Sequence, residues 1–301
     1  MGKTSIEWTD HSVNPIRATL NGRTGHYCEK VSPGCKNCYS SRMQRRFGMP
    51  VFQEQRGKAQ SFLDVSKLEQ VFRRRKPTKW FWCDMSDMFG AWVPDEWIAA
   101  CFGVMAATPQ HVHQVLTKRP ERAAKWFEWV DSASAKLNRN QDYVVQDAAC
   151  VELGEGFPTE LDCYRCYRWP LPNVWIGTSC ENQETADERI PWLFKCPAAV
   201  RFVSAEPLLG PIDLHHGELG RKGHLAETFG NPLINWVIIG SESGPGARPM
   251  QLEWAESLRD QCADAGVAFF TKQIANARDR KGGNPEFWPA GPWPREFPVA
   301  K

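Results

Sequence analysis

Residues 80–87 read Trp-Phe-Trp-Cys-Asp-Met-Ser-Asp, and this stretch shows the unit from which most of the chain is built. Four apolar residues are followed at once by polar ones, and a helical pattern then runs over residues 94–107. A short apolar run that ends at polar residues is typical of a buried strand. The stretch therefore predicts a strand, a polar turn and a helix in succession.

The same unit recurs along the rest of the sequence. The other apolar runs are 112–116, 174–177, 200–203, 236–239 and 267–270, with helical patterns at 121–130, 182–195 and 252–265. A further short strand is predicted at 5–8, and helices are predicted at 40–47 and 64–76. Alternating strands and helices favour an α/β fold with a parallel sheet. Six or seven such strands predict a partial or full (β/α) barrel over residues 1–280.

Two inserted segments and a tail depart from this pattern. Residues 131–173 are predicted to be an insertion with weak periodicity, and residues 211–233 a long loop. The tail, residues 281–301, is rich in proline and tryptophan. So many aromatic side chains favour burial over solvation. We therefore expect the tail to be an irregular segment packed on the barrel.

The composition indicates the cellular compartment of the protein and whether its overall charge favours nucleic acid or a membrane. The chain has 301 residues and a net charge of +2, so its overall charge commits it neither to nucleic acid nor to a membrane. The N-terminus lacks the apolar core of a signal peptide, and no apolar run has the length of a membrane span. Eleven cysteines, an odd number, are then expected to be thiols and metal ligands in a reducing cytoplasm.

Residues 28–39 read Cys-Glu-Lys-Val-Ser-Pro-Gly-Cys-Lys-Asn-Cys-Tyr, and we call them the cysteine loop. Ser-Pro-Gly at 32–34 predicts a turn that can fold Cys28, Cys35 and Cys38 back onto one point. Three converging thiolates bind a soft metal or an iron–sulfur cluster and leave one coordination position open. The alternatives are a structural zinc site with His26 as fourth ligand and ordinary buried thiols.

Polar residues follow every predicted strand, and in a parallel barrel these positions share the catalytic rim. They are Asp84, Ser86 and Asp87, then Thr117 and Lys118, then Ser179, Cys180 and Glu181, and finally Glu206, Glu242 and Lys272. Charged groups at a barrel mouth are costly unless they are paired or used. Helix caps and a structural ring of salt bridges are the simpler interpretations of the same residues.

Three cysteines after a first barrel strand, followed by further strand–helix units, resemble the radical S-adenosylmethionine superfamily. Residues 6–9, the cysteine loop, 116–120, 201–209 and 240–248 resemble a phage-type branch of it, with a Cys-x6-Cys-x2-Cys-Tyr motif. The commonest signature of the superfamily has three residues between the first two cysteines and an aromatic residue before the third. Here six residues intervene, Asn37 precedes Cys38, and residues 84–87 replace the usual glycine-rich motif.

The resemblance implies a (β/α) barrel of the radical SAM type, with inserted loops. It implies that Cys28, Cys35 and Cys38 hold three irons of a 4Fe–4S cluster, whose fourth iron chelates S-adenosyl-L-methionine. One-electron reduction by an external donor such as flavodoxin or ferredoxin then produces methionine and a 5′-deoxyadenosyl radical, which abstracts hydrogen from the substrate.

The resemblance also gives roles to the polar positions. The candidate cofactor contacts are Tyr39, Asp84, Ser86, Asp87, Thr117, Ser179 and Glu181. The groups that would orient the substrate or move protons are Lys118, Glu206, Glu242 and Lys272. Cys180 would donate hydrogen to a product radical, or is simply a packed residue. Cys150, Cys163 and Cys166 are a candidate second site for zinc or a second cluster.

Basic and aromatic residues occur together at 42–47, 72–80 and 118–126. Proteins usually bind nucleic acids with cations, which neutralise the phosphates, and with aromatic rings, which stack on the bases. A solvated helix face can have the same composition. With the phage-type branch, this predicts DNA as substrate, in the host cytoplasm if the chain is phage-encoded. We expect carbon–carbon bond formation or isomerisation on a hypermodified pyrimidine. The alternatives are a zinc-stabilised nucleic-acid-binding module without catalysis and a degenerate barrel that serves as an interaction partner.

Overall fold

The computed structural model of the protein describes residues 4–49, 52–55, 57–154, 169–215, 227–228, 231–244, 246–276 and 278–299. Its strands are β1 (His11–Val13), β2 (Ile16–Leu20), β3 (Arg23–Gly25), β4 (Gln60–Leu63), β5 (Lys79–Trp82), β6 (Val112–Thr117), β7 (Val174–Ser179), β8 (Val200–Ala205), β9 (Glu227–Thr228), β10 (Asn231–Pro232), β11 (Trp236–Gly240) and β12 (Ala268–Gln273). Apart from β1, the strands of the largest sheet overlap the apolar runs of the repeating unit.

The helices lie between those strands, as the repeating unit predicts. They are α1 (Tyr39–Arg46), α2 (Val65–Phe72), α3 (Asp95–Ala106), α4 (Pro120–Leu137), α5 (Gln141–Leu153), α6 (Gln183–Phe194) and α7 (Leu252–Ala265). The predicted α/β class is therefore confirmed. None of the helices in the described ranges is both long and apolar enough to cross a membrane.

Seven strands form one sheet in the order β1–β5–β6–β7–β8–β11–β12. The pairs β1–β5, β5–β6, β8–β11 and β11–β12 are all parallel. Every residue of β7 and β11 is buried, which is expected of parallel strands that are covered on both faces. The order places β1 and β12 at its two ends, so the sheet is compatible with a partial barrel.

The first strand lies later in the chain than predicted. Residues 5–8 form no strand, and β1 begins at His11 instead. The prediction at 5–8 was therefore wrong. Trp8 is buried because its ring packs on Phe81, with ring centroids 4.6 Å apart, and not because it pairs in a sheet.

Sequence reasoning missed a small antiparallel sheet in the order β3–β2–β4. Asn21 and Gly22 join β2 to β3 with φ angles of 50° and 72°. An Asn-Gly pair with two positive φ values is the preferred two-residue hairpin turn, so this dipeptide was a usable signal. Leu20, Tyr27 and Phe52 lie in the apolar cluster of this sheet.

Part of the predicted insertion at 131–173 is helical. α4 continues to Leu137, and α5 packs so closely on α3 that a Cβ at Gly103 would overlap the backbone of Val145. α5 buries the polar residues Asp142 and Gln146 beside apolar ones. Its buried face therefore lacks the regular spacing of apolar residues that would predict a helix. Residues 155–168, with Cys163 and Cys166, lie outside the described residues.

The C-terminal tail lies along β12. Thr271 N donates to Pro294 O at 2.8 Å, and Glu296 N donates to Phe269 O at 2.9 Å. The indole nitrogen of Trp236 donates to Glu296 O at 2.8 Å. The tail thus supplies hydrogen-bond partners to β12, which ends the strand order of the sheet.

The chain divides into two compact units. The first comprises Met1–Lys30, Tyr39–Ile176 and Cys196–Ala199, and the second comprises Val31–Cys38, Gly177–Lys195 and Val200–Lys301. Cys28 therefore belongs to the first unit, whereas Cys35 and Cys38 belong to the second. The two parts of the cysteine loop are described separately below.

Candidate functional site

Cys28, in the first unit, has Arg119 as a charged neighbour. Burial alone would lower the pKa of Arg119, but the charges of Asp87 and Cys28, with hydrogen bonds to both, outweigh it and raise that pKa. Arg119 Nη2 also donates to the backbone oxygen of Glu29 at 2.9 Å. A guanidinium beside a cysteine favours the thiolate, which is the form that binds metals.

Arg119 is itself fixed by Asp87, which follows β5. Asp87 is 4% exposed, and its carboxylate accepts from Arg119 Nη1 at 2.9 Å and from Thr117 Oγ1 at 2.7 Å. The backbone nitrogen of Lys118 donates to it at 3.1 Å. Asp87 and Thr117, both predicted cofactor contacts, are thus hydrogen-bonded to each other. Together they connect the ends of β5 and β6.

Three other predicted cofactor contacts also lie in the first unit. The Tyr39 hydroxyl donates to Asp84 Oδ2 at 2.7 Å and to the Asp84 backbone oxygen, while Asn14 Nδ2 donates to Asp84 Oδ1 at 2.5 Å. Ser86 Oγ donates to Tyr27 O at 2.8 Å. The structure therefore brings Tyr39 and Asp84 together and uses all three side chains in hydrogen bonds within the unit.

Residues 31–38 of the cysteine loop belong to the second unit. Pro33–Cys35 form a single 3-10 turn, as Ser-Pro-Gly predicts, and Cys35 N donates to Ser32 O at 2.9 Å. Cys35 is buried and Cys38 is half-buried. The turn thus fixes the backbone between the two thiols.

Glu181 binds this segment from the end of β7. Its side chain is fully buried and accepts from Ser32 Oγ at 2.7 Å and from Arg189 Nη1 at 3.2 Å. Arg189 also donates to Ser179 O at 2.7 Å. A Cβ at Gly34 would overlap the Glu181 carboxylate, so this position admits only glycine without a shift. Glu181, a predicted cofactor contact, is a contact of the cysteine loop here.

Glu242 binds the same segment from the end of β11. It is 7% exposed and accepts from Arg248 Nη2 at 2.7 Å and from Asn37 Nδ2 at 2.8 Å. Arg248 Nη2 also donates to Pro33 O at 3.0 Å. Burial alone would raise the pKa of Glu242, but hydrogen bonds from Arg248 and Asn37 outweigh it and lower that pKa to about 2. Glu242 is therefore ionised at neutral pH.

The other predicted catalytic residues fall into different places. Glu206 and Lys272 form an ion pair in the second unit, as the salt-bridge interpretation expects, and both are less than one-fifth exposed. Lys118 belongs to the first unit. Cys180 is fully buried, with its sulfur 3.8 Å from Thr185 O at the start of α6. Cys150 is half-buried on α5, where burial and Asp147 raise its pKa.

Residues 3–285 match the family described as "Protein of unknown function (DUF5131)". The chain belongs to this family. Searches of the curated proteins and of the solved structures give no match. The range shared with the family contains the cysteine loop, every strand of the seven-stranded sheet and all of the ion pairs just described.

The cysteine loop of this family member fits a soft metal or an iron–sulfur cluster by the chemistry of its donors. None of the nine cysteines in the described ranges forms a disulfide, and Cys28, Cys35 and Cys38 are among these nine. Thiolates select soft metals and iron–sulfur clusters. Among the residues that the structure describes, no group of three His, Cys, Asp or Glu side chains is arranged to hold a metal ion. His26, the fourth ligand of the zinc alternative, is neutral at pH 7, since burial and Arg17 lower its pKa.

Sequence reasoning found the acids of this site and missed most of their partners. The missed residues are Ser32, Gly34, Asn37, Arg189 and Arg248, whereas Arg119 belongs to the polar residues that follow a predicted strand. The available signal was local spacing, because Arg189 on α6 lies only 8 residues after Glu181, which comes just before that helix. No comparable signal marks the contact of Arg248 with Pro33 O, which joins residues 215 positions apart.

Proposed function

We propose that the chain is a radical S-adenosylmethionine enzyme that acts on a nucleic-acid base or its substituent. The observation that carries this proposal is the cysteine loop, in which three cysteines lie on a backbone bound by three buried or partly buried ion pairs. When bound, a 4Fe–4S cluster with S-adenosyl-L-methionine would supply the radical that abstracts hydrogen from the substrate.

The residues around the loop would prepare the three ligands. Arg119 favours the thiolate of Cys28, and its bond to Glu29 O orients the neighbouring backbone. Glu181 and Glu242 bind Ser32 and Asn37, which flank Cys35. Ligands whose supporting contacts exist before a metal arrives lose less conformational freedom on binding.

The Glu206–Lys272 pair is the group we propose to orient the substrate or move a proton. Its carboxylate and ammonium are partly exposed, so either can accept a hydrogen bond from, or donate one to, a bound molecule. Gly240 lies beside the pair, where a Cβ would approach Glu206 Cγ to 3.2 Å. A larger residue here would crowd Glu206, so glycine allows the carboxylate to keep its place beside Lys272.

The setting of the enzyme follows from this chemistry. Free thiols and an iron–sulfur cluster require a reducing compartment, so we place the protein in the cytoplasm, of the host if it is phage-encoded. The electron would come from an external donor such as flavodoxin or ferredoxin. The reaction we propose is carbon–carbon bond formation or isomerisation on a modified pyrimidine of DNA.

The test is formation of 5′-deoxyadenosine by protein purified without oxygen, with a chemical reductant and S-adenosyl-L-methionine. We expect product from the wild type and none from Cys35→Ala. Cys262→Ala, which removes a buried thiol from α7 of the same unit, should retain activity. Nucleoside analysis of phage-type modified DNA should then show a mass change that depends on S-adenosyl-L-methionine. A colourless protein that contains zinc and no iron would support the non-catalytic binding module instead.

A further inference from the structure

α1 exposes a row of apolar side chains. Tyr39, Met43 and Phe47 are 39%, 41% and 68% exposed, and they recur every four residues. Phe47 N donates to Met43 O at 3.1 Å, so the helical geometry includes Phe47. Residues four apart on a helix lie on one face, which makes these three side chains one continuous row. The neighbouring face, with Ser40, Ser41 and Gln44, is buried.

A row of cations runs beside the apolar row. Arg42 and Arg46 lie four residues apart, and at 3.6 residues per turn both lie on the same flank of the apolar row. Arg46 is exposed and Arg42 is half-buried. Arg45 points further round the helix and pairs with Glu54. α1 therefore presents two parallel rows, one apolar and one cationic.

We infer that this face of α1 binds an unpaired strand of nucleic acid. The phosphates would lie along Arg42 and Arg46, and the bases would lie along Met43 and Phe47, since base–aromatic stacking and phosphate neutralisation are the two terms of single-strand binding. In a duplex the base faces are stacked inside, so they cannot reach the apolar row. Tyr39 is held in place by its hydrogen bond to Asp84, which reduces the entropy lost on binding.

This inference rests on the proposed function, which it makes more specific. Enzymes that carry out chemistry on a base act on single strands or on a base turned out of the duplex. α1 begins at the residue after Cys38, so the chain passes directly from the cysteine loop into the strand-binding face. The substrate would then be unpaired DNA or a locally opened duplex.

The test is fluorescence anisotropy of a labelled single-stranded DNA oligonucleotide of mixed sequence, and of the matching duplex, titrated with the full-length protein at several salt concentrations. We expect the single strand to bind more tightly. Replacing both Arg42 and Arg46 by Gln should weaken binding about tenfold or more, and lower the salt slope by about 1.4, if each arginine neutralises one phosphate. Met43→Ala with Phe47→Ala should weaken binding about 5- to 100-fold and leave that slope unchanged.

Two matched control variants test whether the effects are specific to this face of α1 or follow from the loss of any exposed cation or apolar side chain. Arg280→Gln removes an exposed cation elsewhere, and Leu137→Ala removes a side chain that is 54% exposed at the end of α4. Both should bind as the wild type does. Equal binding by wild type and both α1 variants would overturn the inference. So would binding of an acidic electron-carrier protein, in place of DNA, through the same residues.

The measurement needs neither the cluster nor S-adenosyl-L-methionine. A protein that binds the strand through α1 but forms no 5′-deoxyadenosine would contradict the proposed function alone. Formation of 5′-deoxyadenosine with no effect of the α1 variants on DNA binding would contradict this inference alone.

Discussion

The two ends of the cysteine loop are fixed by opposite members of ion pairs. At the Cys28 end, in the first unit, the arginine of the Asp87–Arg119 pair contacts the loop. In the second unit the carboxylates contact it, with Glu181 at Ser32 and Glu242 at Asn37. A cation lies beside Cys28, whereas carboxylates bind neutral side chains around Cys35.

This difference indicates that the contacts at the two ends of the loop have different roles. A guanidinium changes the charge state of a nearby thiol, whereas a carboxylate bound to a serine or an amide fixes geometry. We therefore expect substitutions in the second unit to change mainly stability and loop order. Substitutions at Arg119 should also change the reactivity of Cys28. The following predictions test that contrast, in order of expected effect.

The largest effect is expected from Glu181→Gln. Arg189 is 3% exposed, so it would keep a buried charge without its anionic partner, which typically costs about 3–5 kcal/mol. The free energy of unfolding from urea denaturation measures this. The control is Glu121→Gln, which breaks an exposed pair with Lys125 on α4 and should change stability by less than about 0.5 kcal/mol. Similar losses in both variants would show that Glu181 does not stabilise the loop.

Gly34→Ala should come next. The added methyl overlaps the buried Glu181 carboxylate, and overpacking of this kind costs about 1–3 kcal/mol. Because the turn must move, alkylation of Cys35 by iodoacetamide should become faster. Ser32→Ala is the comparison, since it removes one hydrogen bond and adds no bulk, at a cost of about 1 kcal/mol. Unchanged alkylation in Gly34→Ala would contradict the assigned contact.

The Glu242–Arg248 pair predicts that the stability of the protein falls at acid pH. The folded pKa of Glu242 is about 2, below the usual value for glutamate, so its stabilisation is present above about pH 4.3 and is lost as the pH falls toward 2. Arg248 is 28% exposed, so solvent screens the pair and we expect about 1–2 kcal/mol. Urea denaturation at pH 6 and pH 3 should show a smaller acid loss in Glu242→Gln than in the wild type. An equal loss of stability in the wild type and in Glu242→Gln would contradict the predicted contribution of the pair.

The smallest effect is expected on the reactivity of Cys28, at the other end of the loop. Arg119→Lys keeps a positive charge but cannot bind Asp87 and Glu29 O in the same planar geometry. Arg119→Gln removes the charge, so alkylation of Cys28 near neutral pH should slow by roughly three- to tenfold. Mass spectrometry of the alkylated peptide measures the rate, with Cys150 as internal reference. If Cys28 reacts equally fast in both variants, charge is not the contribution of Arg119.

Much of the fold could be predicted because its signals are local. The spacing of Leu252, Ala255, Leu258 and Cys262 gave the observed bounds of α7. β7 and β8 extend two residues beyond their predicted ends, because polar residues such as Ser179 and Ser204 still belong to the strands. α5 was missed because polar residues on its buried face hide the period.

The site was predictable only in part. Position after a strand identified Asp87, Glu181 and Glu242 as polar groups with a role. It could not show that Glu181 and Glu242 bind the cysteine loop, because the Ser32–Glu181 and Asn37–Glu242 contacts join residues 149 and 205 positions apart. Which residue an acid binds depends on distances in the folded structure. In the sequence, acids that follow different strands cannot be distinguished by their partners.

Iron and sulfide analysis of protein purified without oxygen tests the central claim most directly. The wild type should contain about four irons and about four sulfides per chain, and Cys28→Ala, Cys35→Ala and Cys38→Ala should each lose most of them. Cys262→Ala should match the wild type. One zinc per chain without iron, or an iron content that none of the three substitutions changes, would contradict the account.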